Sequence, residues 1–399
     1  MLSLCQQFNS LPAMPLPRLP LPPPLKLSDP SAFIQHTLNH RWVTIACRVA
    51  AENDLLPQQQ QAIDLLVQDL ALGTVRLLQD DGGPEVADWQ NYLTPYLDQS
   101  WRSLPWYFAE AYFYRRILEA IDYFRADLPR DPFQAQKQAE LVRSGDVAIE
   151  FDALTRDRLT TLLYGSLWGN QADLSLRPTD PVLQIRAERS QLLVDNAPAV
   201  ADRILAQPLR RIDWIADNAG GELISDLVAI EALLSADATE TVHLHLKFHP
   251  TFVADATIAD VEQTIGFWGG SATNQRLADR LNDLIRGDRL KLRTDFFWTA
   301  PLVFWEMPDR LRQDLAQADL IVLKGDANYR RLLGDRYWSF TTAIADIACY
   351  VPAPLVALRM LKSEVLAGVP VEAIARASQE AGWLTNGSWG VIQAVSVKQ

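Results

Sequence analysis

Cysteine is scarce in this chain of 399 residues: Cys5, Cys47 and Cys349 lie far apart and without Cys-x-x-Cys spacing. An odd number so dispersed points to neither a disulfide framework nor a thiolate zinc site, and makes a reducing cytoplasm the expected compartment. Basic residues are also few, 37 against 49 acidic ones. The resulting net charge of −12 argues against nucleic acid or an anionic membrane surface as partner. Any anionic ligand must then be held by a local cluster of cations. No apolar run reaches the roughly 18 residues of a membrane-spanning helix, so none is expected. No basic opening leads into an uninterrupted apolar segment, so no signal sequence is expected either.

Proline, in contrast, is concentrated. Pro12, Pro15, Pro17, Pro20, Pro22, Pro23, Pro24 and Pro30 account for eight of the 24 in the chain. Residues 1–28 therefore read as an extended arm, lying across the body or docked in polyproline form. With 48% apolar and 22% charged residues the remainder can bury a large core, in two domains or one elaborated domain. Residues 29–180 have helical periodicity, in segments near Ala32 to Ala51, Pro57 to Leu72 and Trp106 to Phe124. In the third segment Tyr107, Glu110, Tyr114 and Ile117 share a face, with Arg115 and Arg116 toward another, which reads as an aromatic core stripe with a solvated basic edge. From 181 to 399 the pattern alternates. A helix at about Leu183 to Gln207 precedes strands near Ile212 to Ile215, Thr241 to Phe248, Leu290 to Arg293 and Leu320 to Leu323. Strands separated by helical stretches predict an α/β fold with a mostly parallel sheet covered on both faces.

The stretch Asp217-Asn218-Ala219-Gly220-Gly221-Glu222 sits where the strand ending at Ile215 turns into a helix carrying Leu223, Leu227, Ile230 and Leu234. A carboxylate and an amide thus project at the carboxyl end of a strand, where open α/β sheets bind ligands, and two glycines leave room beside the helix N-terminus. Asp255 follows the next strand in a loop, with its side chain expected to face solvent or the cleft. Lys324-Gly325-Asp326-Ala327-Asn328-Tyr329-Arg330 follows a third strand. Converging carboxylate and amide oxygens without thiolates suit Mg²⁺ or Mn²⁺, with positions left for a substrate phosphate. Taken singly, Asp217 is also a common helix N-cap and Asp326 a common turn former. His243, His245 and His249 form an alternative metal candidate, against which stands a polar strand face with hydrogen-bonded histidines. His36 and His40 read as surface residues. The segment Trp168-Gly169-Asn170-Gln171-Ala172-Asp173-Leu174-Ser175 suits a ligand rim or a plain turn.

Three of these segments, Asp217 to Asp226, Lys324 to Arg330 and Trp168 to Ser175, together with a late Trp383-Leu384-Thr385-Asn386-Gly387-Ser388-Trp389-Gly390, resemble the damage-control phosphatases. These are metal-dependent phosphatases of sugar phosphates, some described earlier as acidic-residue protein methyltransferases. The four motifs occur in matching order, and the resemblance runs from roughly Trp101 to Val391. It implies a Rossmann-like α/β/α sandwich with an N-terminal helical domain. It places the metal ligands on Asp217, Asn218 and Asp255, and the substrate segment on Asp326, Ala327, Asn328, Tyr329 and Arg330. The branch concerned carries Arg-Thr-x-Lys near its carboxyl terminus; here the matching place reads Arg359-Met360-Leu361-Lys362, so the hydroxyl is missing. From spacing alone Arg359 and Lys362 are one helical turn apart and equally suit a solvated face.

The activity so implied is hydrolysis of small sugar phosphates such as fructose 1-phosphate, with Mn²⁺, Co²⁺, Ni²⁺ or Mg²⁺ as cofactor. Lys362 and Arg330 would neutralise the phosphate, and Asp217 or Asp326 would assist proton movement. Two rivals stand beside it. A carboxyl methyltransferase needs an adenosylmethionine site, and the turn after Asp217 lacks the spaced glycines of a nucleotide-binding turn. A non-catalytic sugar-phosphate-binding protein is the other, motivated by Met360.

Overall fold

The structure, a computed structural model, describes residues 16–125, 130–147, 153–169 and 189–395. Helices α1 (Ala32–His36), α2 (Trp42–Glu52), α3 (Pro57–Leu72), α4 (Val86–Leu93), α5 (Trp106–Ala120), α6 (Gln134–Ser144) and α7 (Arg156–Trp168) come first. A π-helical turn, Thr37–Arg41, joins α1 to α2 without a break. α3 starts where its sequence dictates: Pro57 needs no N–H partner in the first turn, and the Gln59 side chain accepts from the Leu56 N–H at 3.0 Å. Of the Pro-rich arm, residues 16–28 lie across the body, with Leu25 and Leu27 fully buried and Leu25 N–H donating to the Asp335 carbonyl at 2.9 Å.

α5 is buried along nearly its whole length, which corrects the expected solvated edge. Arg115 is bound by Asp81 at 2.6 Å and Glu85 at 2.7 Å, and Arg116 by Asp69 at 3.0 Å and Glu119 at 3.1 Å. A guanidinium enters a core only with such partners. Here they come mostly from segments 30 or more residues away, beyond the reach of helical periodicity.

Seven strands follow: β1 (Leu192–Asp195), β2 (Leu209–Ile215), β3 (Thr239–Leu246), β4 (Leu290–Thr294), β5 (Leu320–Lys324), β6 (Leu355–Met360) and β7 (Gly390–Val395). They form one sheet in the order β1-β7-β6-β5-β2-β3-β4. Every neighbouring pair is parallel except β6 with β7. The α/β class and mostly parallel sheet are therefore as read from the sequence. Along β5, Ile321 and Leu323 pack with α1 to α5, whereas Leu320 and Val322 pack with α7 and the helix Gly221–Ser235. Both sheet faces are thus covered, as the near-continuous apolar strands require.

Two expected helices are corrected. The described part of the span Leu183 to Gln207 is β1 followed by the helix Ala197–Ala206, because Leu192-Leu193-Val194 pairs along β7 and Pro198 opens a new helix just beyond. A short apolar run does not reveal its period. Arg359 and Lys362 do not share a helical face: Arg359 lies on β6, fully buried, and Lys362 follows in the loop.

Candidate active site

β2 is the strand at which the sheet changes direction of growth: β3 and β4 are added on one side of it, and β5 and β6 on the other. The chain segments leaving β2 and β5 at their carboxyl ends must diverge to opposite sides, opening a crevice between them. Asp217 and Asn218 leave β2 there, and Gly325 and Asp326 leave β5. Gly325 has φ +86°, and a Cβ built on it would meet the Asp217 carboxylate at about 2 Å. Only glycine therefore lets the two strand ends close around that carboxylate. The glycines before the next helix serve packing, which corrects their reading as room for a ligand. A Cβ on Gly221 would meet the Gly169 carbonyl oxygen at 2.2 Å, and one on Gly220 the Glu140 side chain at 2.2 Å.

Asp255 is brought alongside by backbone pairing. Asn218 and Asp255 form an antiparallel bridge, with Ala256 N–H donating to the Asp217 carbonyl at 2.8 Å and Ala219 N–H to the Ala254 carbonyl at 2.7 Å. The loop that achieves this is strained. Phe252 and Val253 have φ of +49° and +68°, and Ala254 N–H donates to the Phe252 carbonyl at 2.8 Å, closing a γ-turn on a β-branched residue. Aromatic packing holds the loop in place, the Phe252 ring stacking on Tyr107 with centroids 5.7 Å apart and meeting Tyr114 at 5.0 Å. Of the two placements expected for Asp255, solvent or the cleft, the structure takes the cleft. It is 2% exposed and lines the cavity, with Oδ2 lying 3.2 Å from the Lys247 ammonium.

Three carboxylates, Asp217, Glu222 and Asp255, consequently share one buried region. Burial first, then the neighbouring Glu222 and Asp255 charges, pushes the Asp217 carboxyl well above the usual carboxylate range, against the pull of Lys362 and Lys247. Burial also raises Asp255, with Lys247 opposing. Lys247 at Asp255, and Lys324 at 3.9 Å from Glu222 and 3.0 Å from Asp226, answer part of this charge, and Asp217 is left without a cation at ion-pair distance among the described residues. Asn218 spans it, donating from Nδ2 to Asp217 at 3.0 Å and to Glu222 at 2.9 Å.

Asp326 is different. Burial pushes its carboxyl upward, but Arg359 and then Arg330 hold it below the usual range. Its Oδ1 accepts from Arg359 Nε at 2.8 Å, the Lys362 N–H at 3.2 Å and Ser363 Oγ at 3.0 Å. Asp326 so locks the loop that carries Lys362. The late Trp-rich segment brackets the same loop, through Leu361 N–H to the Trp389 carbonyl at 2.8 Å and Gly387 N–H to the Leu361 carbonyl at 3.0 Å.

A cavity of about 100 Å³ collects Asp217, Asn218, Asp255, Asp326, Ala327, Arg330 and Lys362 at this edge. Asn328 and Tyr329 are not among its lining. Asn328 is fully buried and donates to the carbonyls of Ala216 at 3.1 Å and Lys324 at 2.9 Å, stapling the ends of β2 and β5 together. The Tyr329 hydroxyl bonds Gln393 at 2.8 Å, and its ring lies under Arg359. Arg330 lines the cavity with its charge already balanced by Glu110 at 2.6 Å and Asp335 at 2.8 Å, over the Trp106 ring. Lys362 is the reverse: 41% exposed, with Glu222 3.9 Å away. The loop Asn170 to Ser175 lies outside the described residues.

Among the described residues no three His, Cys, Asp or Glu side chains stand ready to hold a metal ion. The donor set nevertheless fits a hard divalent cation. Its atoms are all oxygen, buried Asp255 Oδ2 has lone pairs to spare beside the Lys247 ammonium at 3.2 Å, and a half-turn of the Asn218 carboxamide presents Oδ1 where Nδ2 now lies. The histidine alternative does not assemble. His245 Nε2 lies 2.6 Å and His243 Nδ1 3.8 Å from Asp213 Oδ1 beside Arg211, a buried ionic cluster. His249 instead pairs with the Pro250 carbonyl at 3.0 Å.

The cavity also contains residues passed over in the sequence. Phe33, Arg41, Trp106 and Glu110 reach it from the N-terminal helices, and Glu222 meets Lys362 beside it. Glu222 had a signal, an acid in the first turn of a helix directly after Asp-Asn. The others had none, since α1 and α5 come to the sheet edge only through tertiary packing.

Comparison with known proteins finds relatives over most of the chain. Residues 37–376 match the damage-control phosphatase ARMT1-like domain. The chain is 31% identical over 327 residues to "Damage-control phosphatase ARMT1" of Rattus norvegicus, covering 73% of this chain and 74% of that one. It is 32% identical over 336 residues to the protein of the same name from Xenopus laevis, covering 74% and 75%. Among solved structures, a DUF89 family protein from Pyrococcus horikoshii aligns at 14% identity with a TM-score of 0.47, covering 90% of this chain and 95% of that one.

Proposed function

We propose, from the premise that this chain belongs to the damage-control phosphatase ARMT1-like family, that it hydrolyses the phosphomonoester of small sugar phosphates with the help of a divalent cation. The observation that carries the reading is Asp217: in a buried group of three carboxylates where Lys247 pairs with Asp255 and Lys324 lies between Glu222 and Asp226, it has no cation at ion-pair distance among the described residues, and it lines one cavity with the exposed ammonium of Lys362. Such a site is electrostatically incomplete. It takes a cation on its acidic side and a phosphate on its basic side.

Asp217, Asn218 and Asp255 would hold the cation, giving the site Lewis acidity toward a phosphoryl oxygen. Lys362 grips the phosphoryl group. Its backbone is fixed through Asp326, so the ammonium is preorganised where negative charge accumulates in the transition state. Asp326 itself stays ionised and occupied, which makes it a positioning residue. Arg330 contributes a fixed field, its guanidinium held in place by Glu110 and Asp335. Asn328 keeps the two strand ends in register, and Tyr329 supports Arg359 beneath them. Ala327 and Trp106 leave a small, partly apolar wall suited to a sugar.

A phosphate-release screen over hexose and pentose phosphates, with Mn²⁺, Co²⁺, Ni²⁺ and Mg²⁺ in turn, tests the reading. Release that disappears with chelator and returns with one of these ions is expected. Undiminished release after exhaustive chelation would remove the cation from the site.

A further inference from the structure

The inner cavity opens into a larger chamber of about 530 Å³. Arg41, Asn218, Phe252 and Lys362 belong to both, so the two spaces meet at that ring of residues. The outer wall adds His36, His40 and Arg48, and it contains no aspartate or glutamate. On a chain with a net charge of −12 that is an unusual stretch of wall. Arg48 is partly committed, 3.1 Å from Glu52. Arg41 is not: it is exposed, and its guanidinium makes no hydrogen bond or ion pair among the described residues. The acids nearest in its field are already engaged, Glu110 by Arg330 and Asp326 by Arg359.

The backbone explains why Arg41 stands there. It ends the π-helical turn Thr37–Arg41, where one extra residue per turn changes the direction of the side chains. His36 and His40 stay together on the same side, ring centroids 5.3 Å apart. A π-turn is a local departure from the better-bonded α-helix, and it recurs at functional sites. The strained Phe252-Val253 loop forms the facing wall. Two irregular segments, one from each part of the chain, thus shape the same chamber.

We infer that the outer chamber binds a second anionic group of the substrate through Arg41, with His36 and His40, while the inner cavity takes the phosphoryl group to be cleaved. The preferred substrates are then small sugar phosphates with a further phosphate or a carboxylate at the far end. This rests on the phosphatase reading of the inner cavity. Charge-assisted hydrogen bonds to a guanidinium are roughly twice as strong as neutral ones, so the distal anion adds at least about tenfold to affinity.

The test uses two matched pairs, fructose 1,6-bisphosphate against fructose 1-phosphate and 6-phosphogluconate against glucose 6-phosphate. They separate a distal phosphate from a distal carboxylate. KM and kcat are measured with the intact Mn²⁺-loaded protein, and equilibrium binding is measured by calorimetry with the chelated protein. At least about a tenfold preference for the doubly anionic member of one or both pairs is expected, expressed in KM rather than kcat. In Arg41→Gln, and in His36→Gln/His40→Gln, the preference should fall to about twofold or less in whichever pair showed it. No preference in the unaltered protein, or one that survives Arg41→Gln, overturns the inference. Equal losses on both members of a pair overturn it too, because Arg41 would then hold the phosphoryl group itself. Failure of the phosphatase reading looks different: no phosphate is released from any of the four compounds, whatever their order of binding.

Discussion

Asp255→Asn separates the two roles the structure gives this carboxylate, as part of a cation site and as the partner of Lys247. Viewed from the sequence, the change removes charge from a cleft and leaves the metal-free fold unaffected. The structure reverses that expectation. Lys247 is 2% exposed, and Asp255 is the one carboxylate within ion-pair distance of it among the described residues. Removing one member of a buried pair costs about 3–5 kcal/mol, because the other charge stays behind. Lys247 keeps one further partner, the Trp298 carbonyl at 3.3 Å, which favours the lower end. With an unfolding entropy of about 2.1 cal/mol/K per residue, a chain of this length loses about 4 °C of melting temperature for 3 kcal/mol. Asp217→Asn should have the opposite sign, since Asp217, crowded by Glu222 and Asp255, has no cation at ion-pair distance among the described residues to be left behind. The measurement is a thermal melt in chelator of Asp255→Asn, Lys247→Met, the double variant and Asp217→Asn. The double variant should recover part of the sum of the two single losses, the mark of a coupled pair. If metal-free Asp255→Asn melts at or above the parent temperature, Lys247 does not balance Asp255, and the region is a simple repulsive cluster.

Three further outcomes follow from the same geometry. Lys362→Met should lower kcat/KM on sugar phosphates by about a hundredfold or more while leaving the melting temperature nearly unchanged, because its ammonium is 41% exposed and only 3.9 Å from Glu222; a loss below about threefold would take Lys362 out of the phosphate site. Met360→Thr should destabilise the protein by about 2 kcal/mol without raising turnover, since Met360 packs in the sheet core beside Leu358 and Val356 and does not line the cavity; a gain in kcat would contradict that placement. His249 is buried, and burial, with Arg115 adding and Glu85 opposing, pushes its imidazole down to about 4. The unfolded chain takes up that proton below about pH 6.5, so stability should fall by about 3 kcal/mol between pH 6.5 and 4, and His249→Gln should flatten this part of the profile in urea melts at stepped pH.

What could be read in the sequence was what local pattern encodes. β2, β3, β4 and β5 and the helices α2, α3 and α5 follow from apolar periodicity, proline and turn residues, and the acids at the ends of β2 and β5 follow from the rule that ligands bind where such strands end. What was not legible depends on contacts between distant segments. Arg115 reads as solvated until Asp81 and Glu85 fold over it, and the burial of Asp255 against Lys247, just past the end of β3, has no signal in the local pattern. Arg359-Met360-Leu361-Lys362 is the sharpest case. Three-residue spacing suggests a helix, on which Arg359 and Lys362 would point the same way. On β6 the period is two, so Arg359 and Met360 point to opposite faces: Arg359 toward Asp326 and Tyr329, Met360 into the core beneath α7. The residue that departs from the threonine the resemblance implies is therefore the one turned away from the cavity, while Lys362 lines it and Arg359 holds Asp326, which lines it too. A motif departure weighs by where the backbone aims the altered side chain, and here it bears on packing before it bears on chemistry.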